Sequence, residues 1–162
     1  MAFEIERKFL VKQIPVWYEQ FPQKKILQGY FNDATTGKSI RLRKMDDVYI
    51  ITRKKWTGLV KEEKETVISK EEFNALRPNV ENHFLKKTRY FIPYEGETIE
   101  FDIYEELQGL MTAEVEFKTK RDAKKFMKPD RFDEELTLVR EASNSYIAKY
   151  GIDGELLTLL QS

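Results

Sequence analysis

The chain has 162 residues, a length that suits one domain. Hydrophobic residues make up 41% and aromatics 13%, too many for a disordered chain, and charged residues reach 35% against a usual ~25%. The 28 Lys and Arg cancel the 28 Asp and Glu, which argues against general nucleic-acid or polyanion binding as a property of the whole molecule.

Most of the chain reads as short strands with period-2 alternation. The first expected strand is Phe3–Val11, followed by a short helix around Val16–Phe21. Strands follow over Ile26–Asn32, Ser39–Met45, Val48–Trp56 and Val60–Ile68, with reversals at Asp33–Lys38, Asp46-Asp47 and Thr57-Gly58. Ser69 with Glu72 forms a capping-box pattern, so a helix is expected over Lys70–Leu76, ended by Pro78. Strands Phe84–Pro93, Glu97–Leu107 and Met111–Lys118 come next, the first two joined at Glu95-Gly96. The last third is more helical: Arg121–Met127, then Ser143–Tyr150 with Gly151 as its C-terminal cap, then Glu155–Leu160. Eight strands with mostly short turns predict a mainly β (α+β) fold. The expected architecture is one domain over 1–162, an antiparallel sheet or barrel with helices packed outside.

The chain contains no cysteine and one histidine, His83. Disulfides, zinc–thiolate sites and a cysteine nucleophile are therefore excluded, and a histidine-based hydrolase has a single candidate base. His83 falls in the connection after Pro78, where a surface role is expected. The opening MAFEIERKFL lacks the apolar core of a signal peptide, and no apolar run approaches ~20 residues. A cytoplasmic protein with no membrane or nucleic-acid partner is expected.

The charges alternate with the strands. In a strand, residues two apart share a face. Glu4, Glu6 and Lys8 fall on one face of the first strand, against Phe3, Ile5, Arg7 and Phe9. The same design gives Arg41 and Arg43, Lys54, Glu63 and Glu65, Lys87 and Arg89, Glu100 and Asp102, and Glu114, Glu116 and Lys118. On one strand this is an ordinary wet sheet face. Across seven strands the polar faces are nearly all formal charges, while the opposite faces carry Phe, Ile, Leu and Val. A closed barrel with helices outside and charge inside satisfies both, and about eight strands leave room for one small ligand. Carboxylate clusters suit Mg²⁺ or Mn²⁺, and Arg and Lys clusters suit phosphate oxygens. Together they describe a site for a metal–polyphosphate complex. No Walker A or other glycine-rich phosphate loop is present.

Glu4-Ile5-Glu6-Arg7-Lys8 resembles the E-x-E-x-K signature of the CYTH superfamily, the triphosphate tunnel metalloenzymes. Further matches come in family order: Arg41-Leu42-Arg43, Thr52-Arg53-Lys54, Glu63-Lys64-Glu65, Lys87-Thr88-Arg89-Tyr90, Glu100-Phe101-Asp102 and Ala113-Glu114-Val115-Glu116. Glu135-Leu136-Thr137 and Ser143-Asn144 extend the likeness to nearly the whole chain. The chain departs from the family pattern at Val139 and Glu141, where many members carry Asp and Arg.

The resemblance implies an eight-stranded antiparallel tunnel that hydrolyses or cyclises triphosphates with Mg²⁺ or Mn²⁺. It implies metal ligands at Glu4, Glu6, Glu114 and Glu116, with Glu63, Glu65 and Asp102 as further candidates. Lys8, Arg41, Arg43, Lys54, Lys87 and Arg89 would hold the triphosphate, and Lys8 and Lys54 are the candidates to orient an attacking water. Inorganic tripolyphosphate is the first-choice substrate, since short turns leave little surface for reading a base or a thiamine. Class IV adenylyl cyclase, thiamine triphosphatase and a non-catalytic polyphosphate-binding module are the alternatives. Trp56, on the charged face, is read as packing at a strand end or stacking on a ring, and Trp17 as packing. The basic run Lys120–Lys128 reads as a solvated helix face, with guidance of anions toward the tunnel as the alternative. The C-terminal Leu156, Leu157, Leu159 and Leu160 either cover the barrel or form a homodimer contact.

Overall fold

A computed structural model describes residues 2–14, 18–33, 38–57, 60–80 and 82–162. Among the described residues, nine strands form one antiparallel sheet: β1 (Ala2–Val11), β2 (Gln23–Asp33), β3 (Lys38–Met45), β4 (Val48–Thr57), β5 (Val60–Ile68), β6 (Leu85–Tyr94), β7 (Glu97–Tyr104), β8 (Met111–Phe117) and β9 (Phe132–Glu135). The order β5-β4-β3-β2-β6-β7-β8-β1 closes through β1 and β5, where Ala2 faces Glu63 and Ile5 faces Val60. Eight strands therefore make the expected closed barrel.

The ninth strand, β9, is an addition that the alternation does not announce. It is four residues long, Phe-Asp-Glu-Glu, and pairs with the end of β1 at Phe9 and Val11. Arg7 points outward from β1 and holds this strand in place. Its Nε and Nη2 donate to the two carboxylate oxygens of Glu135 at 2.9 and 2.6 Å, a bidentate pair. Its Nη1 donates to the carbonyls of Ala123 and Phe126 at 2.9 and 3.0 Å. That second contact docks α2 (Lys120–Lys125), a short helix capped by the Thr119 hydroxyl.

Helix α1 (Lys70–Leu76) carries both halves of the capping box, with Ser69 accepting from the Glu72 amide and Glu72 accepting from the Ser69 amide. The C-terminal helices are α3 (Asn144–Tyr150) and α4 (Gly154–Gln161). Gly151 ends α3 at φ 74°, a left-handed conformation that suits glycine. Leu156 is fully buried, and Leu159 and Leu160 pack on Leu10, Leu110, Leu136 and Ile147. The C-terminal leucines therefore cover the barrel. A second apolar cluster, around Phe9, Phe101, Val115 and Phe132, fills the space between the outer barrel wall and α2.

Among the described residues, no helix is long and apolar enough to cross a membrane. Of the expected helix Val16–Phe21, the described part is a 3₁₀ turn over Tyr18–Gln20. The expectations for Trp17 and for the Trp56 side chain lie outside the described residues, as do parts of the reversals at 34–37 and 58–59. His83 is exposed, as its loop position predicts.

Candidate active site

The barrel encloses a cavity of ≈ 310 Å³, at the lower end of the usual small-molecule range of about 300–1,000 Å³. Strand alternation turns the charged faces into it. The cavity is divided by sign. Its acids come from four adjacent strands: Glu63 and Glu65 on β5, Glu4 and Glu6 on β1, Glu114 and Glu116 on β8, and Glu100 on β7. On the other four strands every charged lining residue is a cation: Lys54 on β4, Arg41 and Arg43 on β3, Lys24 on β2 and Arg89 on β6. Two lysines break the division, Lys8 on β1 and Lys61 on β5.

On the acidic half, Glu4, Glu6 and Glu116 each bring one carboxylate oxygen within 4.8 Å of the others. Glu6 and Glu116 face each other across the β1–β8 pairing. Oε2 of Glu4 and Oε2 of Glu6 are buried and accept no hydrogen bond, although Lys54 Nζ lies 3.3 Å from the Glu4 oxygen. Burial, then the charges of Glu114 and Glu4, push Glu6 up to about 8 despite the Lys61 ammonium. Burial, then Glu4, Glu100 and Glu6, push Glu116 to about 8. Three crowded carboxylates, two of them raised and two with a buried oxygen left unsatisfied, fit a bound cation with oxygen ligands.

The basic half is prepared for an anion. Arg43 Nε and Nη2 both donate to Gln28 Oε1, at 3.1 and 2.7 Å, and Gln28 is itself held by the Tyr30 hydroxyl at 2.7 Å. Arg41 Nη2 rests on Thr52 at 3.3 Å, and its buried Nε donates to nothing. Burial lowers Arg43, with Arg41 and Arg89 adding to the effect, yet a guanidinium stays charged at neutral pH.

The remaining predicted residues take distinct places. Arg89 grips Asp102 in a bidentate pair at 2.8 and 3.0 Å and Glu100 at 2.9 Å. Lys87 Nζ lies 2.8 Å from Asp102 Oδ2, and both side chains are fully buried behind the lining. The two cations hold Asp102 below the usual carboxylate range against the opposing effect of burial. Burial lowers Lys87 to about 7, with Arg89 and Arg43 adding to it. Asp102 is thus placed apart from the Glu4–Glu6–Glu116 cluster, with both oxygens engaged.

Glu114 faces Lys8 at 3.9 Å, and burial is outweighed by Lys8, Arg89 and Lys87, which hold it well below the usual range. Lys54 bridges Glu4 at 3.3 Å and Glu63 at 3.5 Å. Glu65 is half-exposed, 3.9 Å from Arg41. Lys118 stands past the end of β8 and is exposed, so it leaves the set of charges expected inside.

The segment after β9 closes one side of the cavity with Leu136, Thr137, Val139, Ala142, Ser143, Asn144 and Ser145. Leu136 N–H donates to the Lys8 carbonyl at 2.7 Å, and Lys8 N–H donates to Thr137 Oγ1 at 3.1 Å. The Ala142 carbonyl accepts from Lys8 Nζ at 2.6 Å. Asn144 Oδ1 accepts from the Tyr104 hydroxyl at 2.5 Å. Val139 thus brings an apolar side chain to the wall.

Sequence reasoning missed Lys61, Lys24 and Tyr30 as lining residues. The signal for Lys61 was present, since it shares the parity of Glu63 and Glu65. Its Nζ donates to Glu6 Oε1.

A closed antiparallel barrel whose lumen carries acids on one half and cations on the other defines a charged-tunnel protein. Residues 2–150 match the CYTH domain. The chain belongs to the CYTH domain family. It is 35% identical over 148 residues to an inorganic triphosphatase of Nitrosomonas europaea, covering 90% of this chain and 96% of that one. A crystal structure of an inorganic triphosphatase superposes with a TM-score of 0.67 at 33% identity, covering 91% of this chain and 95% of the other. A putative adenylate cyclase of Bacillus halodurans shares the fold, with a TM-score of 0.57 at 20% identity over 76% of this chain and 86% of that one.

Proposed function

We propose that the protein is a divalent-metal-dependent triphosphatase that hydrolyses inorganic tripolyphosphate. The observation that carries this reading is the division of the lumen into an acidic and a basic half around one small cavity. The relative named an inorganic triphosphatase, at 35% identity over almost its full length, supports it.

Glu4, Glu6 and Glu116 would hold the cation, with Glu63, Glu65 and Glu114 nearby on the same half. Their all-oxygen donor set suits Mg²⁺ or Mn²⁺. A cation there supplies concentrated positive charge against the phosphate oxygens. Arg41, Arg43 and Arg89 bind the phosphates from the opposite half, the arginines by their planar forks. Lys87 and Asp102 sit behind Arg89 and fix its direction. Lys8, anchored by the Ala142 carbonyl, presents its ammonium to the phosphate chain. Lys54, beside Glu4, orients the water that attacks the terminal phosphorus. The new P–O bond forms as the bridging P–O bond breaks; pyrophosphate leaves with the shared electron pair, one proton of the water stays on the product phosphate and the other passes to solvent. Fixed cations around the chain stabilise the charge that develops on the leaving oxygens. The reading places the protein in the cytoplasm, where tripolyphosphate would be its small-molecule partner.

A substrate panel with Mg²⁺ and with Mn²⁺ tests the proposal: tripolyphosphate, ATP and thiamine triphosphate, with phosphate and cyclic AMP measured side by side. Phosphate release fastest from tripolyphosphate is expected. Cyclic AMP as the main product from ATP would overturn it.

A further inference from the structure

Lys61 is a cation on the acidic half, and it stands against a carboxylate that the proposed metal site also uses. It lies on β5 directly opposite Glu4 across the short seam that closes the barrel. Its ammonium donates to Glu6 Oε1, while Glu6 Oε2 accepts no hydrogen bond. Lys61 also lines the cavity, and its side chain remains 24% exposed there.

Glu6 therefore faces two claims. It belongs to the three-carboxylate cluster, and it holds the Lys61 ammonium. A divalent cation on Glu6 would cancel the charge that holds Lys61 and would repel the ammonium at short range. A lysine has a flexible four-carbon stem and three donors, so it can turn from one anion to another within one cavity. The anion available there is the bound phosphate chain.

We propose that Lys61 is an exchanging ligand: it neutralises Glu6 while the cation is absent, and it turns to a triphosphate oxygen once a divalent cation has taken Glu6. The inference rests on the metal–triphosphate reading and adds a coupling between metal and substrate. Filling the metal site supplies the substrate with one more cation.

The coupling predicts effects of opposite sign from one substitution. Lys61→Gln removes a competitor of the metal and a ligand of the phosphate. Metal affinity should rise and substrate affinity should fall. A lysine that served only the fold would lower both.

The experiment is a calorimetric titration of metal-free protein with Mg²⁺ at pH 9.0 and low salt, without substrate. That pH lies above the raised Glu6 of the parent chain and so limits competition from protons. Lys61→Gln is expected to bind Mg²⁺ about tenfold tighter than the parent chain, the worth of one charged contact. In turnover assays at saturating Mg²⁺ its KM for tripolyphosphate should rise at least about fivefold on the same reasoning. Lys61→Arg keeps both charges and should stay within about twofold of the parent in Mg²⁺ affinity, which provides a test should the Gln variant fail to fold. If the parent chain binds no Mg²⁺, the metal-site reading fails. If the parent binds and Lys61→Gln binds no tighter, or binds tighter with an unchanged KM, the exchange is overturned and the metal site stands. Tighter Mg²⁺ binding by Lys61→Arg would overturn it as well.

Discussion

Protons and a divalent cation compete for the same oxygens in the Glu4–Glu6–Glu116 cluster, and this competition sets a pH dependence that can be measured. Glu6 and Glu116 are each raised to about 8, by burial first and by neighbouring carboxylates next. Glu4, Glu6 and Glu116 titrate as one cluster, and with two members raised to about 8 the cluster keeps a proton at pH 7 while Glu6 still faces the Lys61 ammonium. Loading the cluster at pH 7 should then expel about one to two protons. Apparent Mg²⁺ affinity should rise about ten- to hundredfold between pH 6.5 and 7.5 and level off above about pH 8.5.

The stability of the metal-free protein moves the other way. Both acids titrate higher in the folded chain than at the ordinary 4.5, so the folded chain binds more protons between pH 4.5 and 8. Their contribution to stability is present below 4.5 and is lost as pH rises toward 8. Calorimetric titrations of chelator-stripped protein in two buffers of different ionisation enthalpy give the proton count directly. Melting curves with chelator and with Mg²⁺ should diverge as pH rises. A proton count near zero at pH 7, or an affinity flat from pH 6.5 to 8.5, would refute the assignment of these carboxylates to the metal.

Glu116→Gln should abolish turnover at saturating Mg²⁺ while leaving the melting temperature of the chelated protein unchanged or higher, because it removes one of three crowded acids; normal turnover would sink the metal assignment. Arg43→Ala should raise KM for tripolyphosphate more than tenfold, since a lost charged contact is worth about 1.5–3 kcal/mol; an unchanged KM would remove Arg43 from the phosphate site. Asp102→Asn leaves Lys87 and Arg89 buried without their shared anion and should cost about 3–5 kcal/mol in urea denaturation, with part of it recovered by added tripolyphosphate. A cost under about 1 kcal/mol would mean that Lys87 simply sheds its proton there.

Strand parity carried most of what the sequence could say. The alternation of Glu4, Glu6 and Lys8 with Phe3, Ile5, Arg7 and Phe9 is a local property, and a charged interior follows from repeating it on seven strands, while closure itself rests on the β1–β5 pairing. The same parity placed Lys61 inside, beside Glu63 and Glu65, though only the two acids were singled out. Depth is another matter. Lys87 and Arg89 have one parity, yet Arg89 lines the cavity and Lys87 does not. Which level of the lumen is open depends on the stagger between strands and on what the 136–145 segment covers, and both are long-range. Strand β9 escaped for a related reason. Its four residues have no strand signal of their own and are held by Arg7 and the end of β1. The Glu135-Leu136-Thr137 motif was legible as a likeness, and its work is structural: Glu135 grips Arg7, while Leu136 and Thr137 fix the backbone at Lys8.

The neutral charge total has a structural counterpart in the way the lumen stores its charge. Lys54 sits between Glu4 and Glu63, Lys8 faces Glu114, Lys61 holds Glu6, and Arg89 holds Asp102 and Glu100. Buried charge without a counter-charge is costly, so the tunnel pairs its own charges. A polyanion arriving alone finds several of these cations already engaged with acids, and taking them would leave carboxylates uncompensated. A cation arriving alone finds Glu6 engaged with Lys61. The two together can exchange partners, cation to carboxylates and lysines to phosphates, with every charge still opposed. The geometry therefore favours a metal–triphosphate complex over either component, and it does so without any excess of basic residues in the chain.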